Sequence, residues 1–221
     1  MVIAAAEPIA LGDTASRLAA GLDAIDADVV ATFSEVVPEG RYLPLLLEVS
    51  PRLVRPVSGP EDYFAEEQVV TWGLSGFWGL PENPQTPYYR TFDTRVDDDA
   101  HLHEFVVPMV PPSWNDRLRV AAFRELLAAP DGPLPTAVAL TTLDVCGPAV
   151  AAGRADWHVH WGLTHFLLDG HHKLEAAASV DGTVRLLSLL TLNDSLATEE
   201  ELALLPALRA REQLARRPPR V

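Results

Sequence analysis

Residues Phe166–Ala177 read FLLDGHHKLEAA, the densest concentration of chemically useful side chains in the 221-residue chain. A short apolar run, Phe166–Leu168, enters Asp169-Gly170 and continues directly into an alanine-rich stretch expected to be a helix over Asp169–Ser179. At such a junction the first-turn N–H groups have no intrahelical partner, and the helix dipole presents positive charge. Gly170 removes the side chain that would hold a ligand away from that backbone. His171, His172 and Lys173 add donors and a cation around the same point, a combination that suits a phosphate or carboxylate. Asp169 fits a different task, as helix cap, Mg²⁺ ligand or base. His171 and Glu175, four positions apart, form a candidate base–orienter pair on one helix face. An ordinary helix start is the competing account, because Asp169 is a good cap and polar first turns face water. That account predicts acidic first-turn residues, whereas this turn carries two histidines and the chain's only lysine.

The histidines form a second constellation. All seven fall between 101 and 172, five of them in Trp157–His172. His158 and His160 share one face of a strand, a spacing able to chelate Zn²⁺ or Fe²⁺ with further ligands. His165 and Asp169 share strand parity if no bulge intervenes, which would complete a His160/His165/Asp169 set. The same spacing arises where a strand turns a polar face between buried Trp157, Val159 and Trp161, and His101-Leu102-His103 repeats it. Two further motifs read as structure. Trp72–Gly79 lacks the glycine spacing and the Lys-Ser/Thr pair of a phosphate loop. Asp97-Asp98-Asp99 lacks the glycine and distant glutamate of a calcium loop and reads as a solvated turn.

FLLDGHHKLEAA followed by VRLLSLL resembles the strand–DGHHR–helix–strand signature of the ParB/sulfiredoxin-like superfamily, over Thr164–Leu192. Asp169, Gly170, His171 and His172 match it, as do the small residues Ala176 and Ala177. Lys173 replaces the usual arginine, keeping the charge without the bidentate fork. The superfamily includes CTP-hydrolysing partition-protein domains and free serine kinases that use ADP. The resemblance implies a small mixed sheet whose turn holds the phosphates of ATP, ADP or CTP with Mg²⁺. The turn has no cysteine, which sets sulfiredoxin chemistry aside. Glu104, Asp144 and Asp156 are candidates for the second acidic residue of the kinases.

These side chains need a scaffold. An apolar fraction of 48% and the chain length fit one folded domain spanning 1–221. The net charge of −14 disfavours nonspecific binding to nucleic acid or anionic membranes. A single cysteine, Cys146, in an apolar run reads as a small buried hydrophobe and fits a reducing cytoplasm. The start carries Glu7 and Asp13 and no basic stretch, so it does not read as a secretory leader.

The periodicity predicts an α+β (mixed α/β) fold, a small mixed sheet with flanking helices and its ParB/sulfiredoxin-like core in the C-terminal half. Residues 1–130 hold a helix over 14–33, strands at Tyr42–Val49, Leu53–Val57 and His101–Val110, an aromatic-rich loop region and a helix over Asn115–Ala129. The last has a stripe of Leu118, Ala122, Phe123, Leu126 and Leu127. Residues 131–205 hold strands at Thr136–Val145, Trp157–Leu168 (one strand, or two interrupted at Gly162) and Val184–Leu192 around the DGHHK turn, then the start of a helix over Thr198–Leu208 with a Thr198/Glu201 capping box. Residues 206–221, with Arg209, Arg211, Arg216, Arg217 and Arg220, read as a basic flexible tail beyond Pro206.

Three readings follow. The first is a nucleotide-dependent phosphotransferase or hydrolase, with Gly170, His171, His172 and Lys173 on the phosphates and Asp169, His171 and Glu175 as catalytic groups. The second is a noncatalytic ligand-sensing or interaction protein using the same anion pocket. The third is a metal-dependent enzyme built on His158, His160 and His165.

Overall fold

The computed structural model describes residues 2–3, 37, 39–54, 87–129, 132–146, 150–151, 154–155 and 159–216, the side chains at 2–3, 146–155 and 210–216 excepted. The helix expected over 14–33, the Trp72–Gly79 segment, Asp156 and His158 lie outside these residues. The described strands are β1 (Val2–Ile3), β2 (Gly40–Val49), β3 (Arg52–Val54), β4 (Tyr88–Arg95), β5 (Ala100–Pro108), β6 (Thr136–Cys146), β7 (Val150–Ala151), β8 (Arg154–Ala155), β9 (Val159–Asp169) and β10 (Val184–Thr191). The described helices are α1 (Arg117–Ala128), α2 (His171–Ser179) and α3 (Glu199–Arg216).

Eight strands hydrogen-bond in the order β1-β2-β10-β6-β9-β5-β4-β3, and β7 pairs with β8 apart from them. β6 runs parallel to β10 and β5 parallel to β9, while the other pairs are antiparallel. The sheet is therefore mixed, and the fold is a small α+β one. β2 and β3 sit near opposite ends of that order, yet only Ser50-Pro51 separates them. Three peptide units span about 11 Å at most, so the sheet rolls until its two ends meet at this link. Proline at the link has no ladder hydrogen bond to lose there.

Rolling gives the sheet an inner face. α2 closes one end of it, packing Leu174 and Ala177 against Leu47, Tyr89, Val106, Ala139, Leu167 and Leu186. α3 closes the other, with Leu202, Leu205 and Leu208 against Leu102, Leu143, Trp161, Leu163 and Leu190. Each fully buried leucine contributes about 1.5–3 kcal/mol through removal from water. The opposite face is buried as well, with Tyr42, Val138, Leu187 and Leu189 in one cluster.

Several local expectations hold. The capping box forms, with Thr198 N donating to Glu201 Oε2 at 2.7 Å and Glu201 N donating to Thr198 Oγ1 at 3.3 Å. Asp97, Asp98 and Asp99 form an exposed bend. Two differ. α3 does not give way to a flexible tail around Pro206–Leu208 but runs to Arg216, with the Leu202, Leu205, Leu208 stripe continuing across the proline and buried. Arg209 is thus a helical, buried residue and not part of a loose tail. α1 keeps Phe123, Leu126 and Leu127 on its partly buried side as expected, but Leu118 and Ala122 are exposed and Val120 is the fully buried position, the helix start being tied to α2 by polar contacts.

Candidate functional site

β9 delivers the DGHHK turn by ending at Asp169, and α2 begins at once behind Gly170. Gly170 has φ +102°, a left-handed conformation that favours glycine. A Cβ there would lie 2.5 Å from the Cβ of Ala137 on β6, so the turn also needs glycine for space. No side chain caps the helix start, because the cap position is Gly170 and Asp169 lies one residue before it. Its Oδ2 lies 3.2 Å from Lys173 Nζ.

Each polar side chain of the motif has a partner inside the protein. Lys173 is buried, and its Nζ donates to Thr136 O at 2.6 Å as well as meeting Asp169. It also lies 5.9 Å from the centre of the Phe123 ring on α1. His171 Nε2 accepts from Met109 N at 3.0 Å, and His172 Nε2 accepts from Asp116 N at 3.1 Å. An acceptor nitrogen carries no proton, so in this arrangement each imidazole keeps its proton on Nδ1. Burial lowers the His171 pKa, the charge of Asp169 opposes that shift, and His172 adds to it. Glu175 is held by Arg117 (Nη1–Oε1 2.5 Å, Nη2–Oε2 3.1 Å) and by Asn115 Nδ2 at 2.7 Å. The expected His171–Glu175 base pairing is therefore replaced by a clasp between α2 and residues 109–117. Asp169, Gly170, His171, His172 and Lys173 are together as the sequence suggested, with only the Asp169 carboxylate substantially open to solvent.

The histidine set separates. His160 and His165 differ by an odd number of residues on continuous β9 and occupy opposite faces. His160 lies beside His103 (ring centroids 6.3 Å), which stacks on His101 at 4.5 Å. Burial first, then neighbouring His101, Arg90 and His160, push the His103 pKa down to about 3. A bulge intervenes between His165 and Asp169, where β9 slips against Val138/Ala139, so the shared parity fails. Among the described residues no three His, Cys, Asp or Glu side chains group as metal ligands.

Sequence reasoning left one arrangement unassembled. Midway along the inner face, between the two apolar clusters, Glu104, Thr141, His165 and Ser188 are fully buried. Thr141 Oγ1 lies 2.8 Å from His165 Nδ1 and 2.7 Å from Ser188 Oγ, and Ser188 Oγ lies 3.2 Å from the same nitrogen. His165 Nε2 is 3.8 Å from Glu104 Oε2, beyond hydrogen-bond range. The partner of Glu104 is Arg209 of α3, which bonds its Oε2 while Thr91 Oγ1 donates to Oε1 at 2.7 Å. Arg209 also donates to Glu48 O at 3.1 Å and stacks 5.0 Å above Phe92. Burial raises the Glu104 pKa, but the charge of Arg209 and its hydrogen bond, with His165 nearby, outweigh it, leaving about 2. Ser188, His165 and Glu104 resemble a relay in type, but none is open to solvent. The even spacing of Leu102, Glu104 and Val106 was the available signal, since it puts a carboxylate on an apolar face. Asp144, the other described acid, hydrogen-bonds Leu196 N at 3.4 Å on the opposite sheet face.

No family model, curated protein or solved structure matches the chain. No described helix is long and apolar enough to cross a membrane.

Proposed function

We propose that the protein binds a small phosphate-bearing anion, of the nucleotide class, at the start of α2 and does not turn it over. The observation behind this reading is the division of labour in the turn. The first-turn backbone lacks a side-chain cap, while His171 Nε2, Lys173 Nζ and the Glu175 carboxylate are each engaged by protein groups. Backbone N–H groups at a helix start can hold a phosphate without side-chain chemistry. A phosphotransferase would need a free base, and Asp169, half-exposed and near Lys173, is the one motif carboxylate able to face a nucleotide-bound Mg²⁺.

The test is a two-dimensional amide spectrum of labelled protein titrated with ATP, ADP, CTP and inorganic phosphate, with and without Mg²⁺. Saturable shifts concentrated at Gly170–Leu174, with the nucleotide intact after hours, support the reading. Absence of shifts there removes it. Mg²⁺-dependent loss of the γ-phosphate that disappears in Asp169→Asn would replace it with the phosphotransferase reading.

A further inference from the structure

Two N–H donors in the buried polar centre are left over once its hydrogen bonds are counted. His165 Nε2 and Arg209 Nε are shut off from solvent, and neither has a partner. Both flank one carboxylate. Nε2 of His165 stands 3.8 Å from Glu104 Oε2, and the guanidinium of Arg209 bonds that same oxygen through Nη1. A bare Nε2 would turn its lone pair on a carboxylate deep in the protein, where the repulsion is poorly screened, so this nitrogen carries a hydrogen. Buried N–H groups almost always find an acceptor. A side-chain swing that closed the gap would break contacts at both ends. Thr141 and Ser188 hold the imidazole at Nδ1, while Thr91 and Arg209 hold the two carboxylate oxygens.

We propose that a single water molecule is bound between these groups, accepting from His165 Nε2 and donating to Glu104 Oε2, with Arg209 Nε as its third partner. A water bridges two atoms 3.8 Å apart at ordinary hydrogen-bond lengths, and three partners are the usual complement of an internal water. Glu104 has room for the added bond, since each of its oxygens takes one side-chain donor and an ionised carboxylate accepts about four bonds in all. The occupant is neutral, because the charges of Glu104 and Arg209 already offset each other. The described residues do not gather a set of metal ligands there either. With the water in place, one hydrogen-bonded run joins Ser188 on β10 through Thr141, His165 and Glu104 to Arg209 on α3. It shares no residue with the start of α2, and so stands apart from the anion reading.

The experiment uses the full chain with isotope-labelled histidine, together with a crystal structure at a resolution that shows ordered solvent. Imidazole nitrogen–proton correlations are expected to find His165 with a hydrogen on Nε2. Water-selected nuclear Overhauser spectra are expected to give that ring a peak with the sign of a long-lived bound water. His165→Asn identifies the ring's resonances by their loss, and if that variant does not fold the crystal structure decides. There, one solvent peak is expected within roughly 2.7–3.2 Å of both His165 Nε2 and Glu104 Oε2. A His165 ring with its hydrogen on Nδ1 alone overturns the proposal. So does the absence of a solvent peak, whether a direct His165–Glu104 bond closes the gap or the gap stays empty. A peak whose anomalous signal marks a metal ion overturns it as well.

Discussion

Arg209 and Glu104, 105 residues apart, meet as an ion pair inside the rolled sheet, so that the last described helix is fastened to a central strand by a contact out of reach of water. Three segments converge on that guanidinium, because it also reaches Glu48 O on β2 and Phe92 on β4.

Arg209→Met is therefore expected to cost about 3–5 kcal/mol, since it strands a buried carboxylate. The double variant Arg209→Met/Glu104→Met should recover most of that loss, because removing both charges removes the desolvation penalty along with the attraction. Urea unfolding of the two single variants and the double closes the cycle. A double variant as unstable as the sum of the singles would show that the pair itself is not the coupling.

Acid titration should separate two groups. The His103 pKa lies near 3 against an ordinary 6.5, so the unfolded chain takes up a proton that the folded chain refuses. Its contribution is complete above pH 6.5 and is lost as pH falls from there towards 3. Glu104, near 2 against an ordinary 4.5, contributes above pH 4.5 and loses that contribution as pH falls towards 2. Melting temperature against pH should accordingly flatten between pH 6.5 and 4.5 in His103→Phe, with the steep region below pH 4.5 retained.

Lys173→Met should destabilise by roughly 1–3 kcal/mol through the carbonyl of Thr136 left without its donor. Asp169→Asn should move stability by less than about 1 kcal/mol, because its carboxylate is half-exposed and screened. Chemical denaturation compares them directly. Equal losses would mean that the Asp169 contact, and not the Thr136 carbonyl, anchors the lysine.

Gly170→Ala combines a left-handed backbone, costing about 1–2 kcal/mol, with a collision against Ala137. Ala137→Gly in the same chain should relieve the contact with that Cβ and leave the backbone cost and the 2.9 Å approach to the residue-137 Cα. A double variant measurably more stable than Gly170→Ala alone separates the two.

Helix and strand positions between Thr136 and Thr191 were legible because their periodicity is unbroken and their turns are marked, as at Asp181-Gly182. The turn at Asp169–Lys173 was legible as a cluster for the same reason. What its atoms bond to was not, because Met109, Asn115, Asp116 and Arg117 lie 56 or more residues away and no local spacing links them. Arg209 was misread because Pro206 signals an ending, and only burial of Leu205 before it and Leu208 beyond it offsets the hydrogen bond a proline forfeits. The separation of His160 from His165 needed strand parity alone, but the bulge before Asp169 is set by the partner strand.

An open sheet offers two bare margins on which another chain can add a strand. Here the stretch Gly40–Val54 reaches both ends of the strand order, bound at one to β10 and to the two-residue β1 and at the other to β4, with Ser50-Pro51 as the corner. A single cut at that corner would separate β3 from β2 and free both margins at once. The covalent corner at Ser50-Pro51 is thus what keeps the two margins of the sheet beside each other.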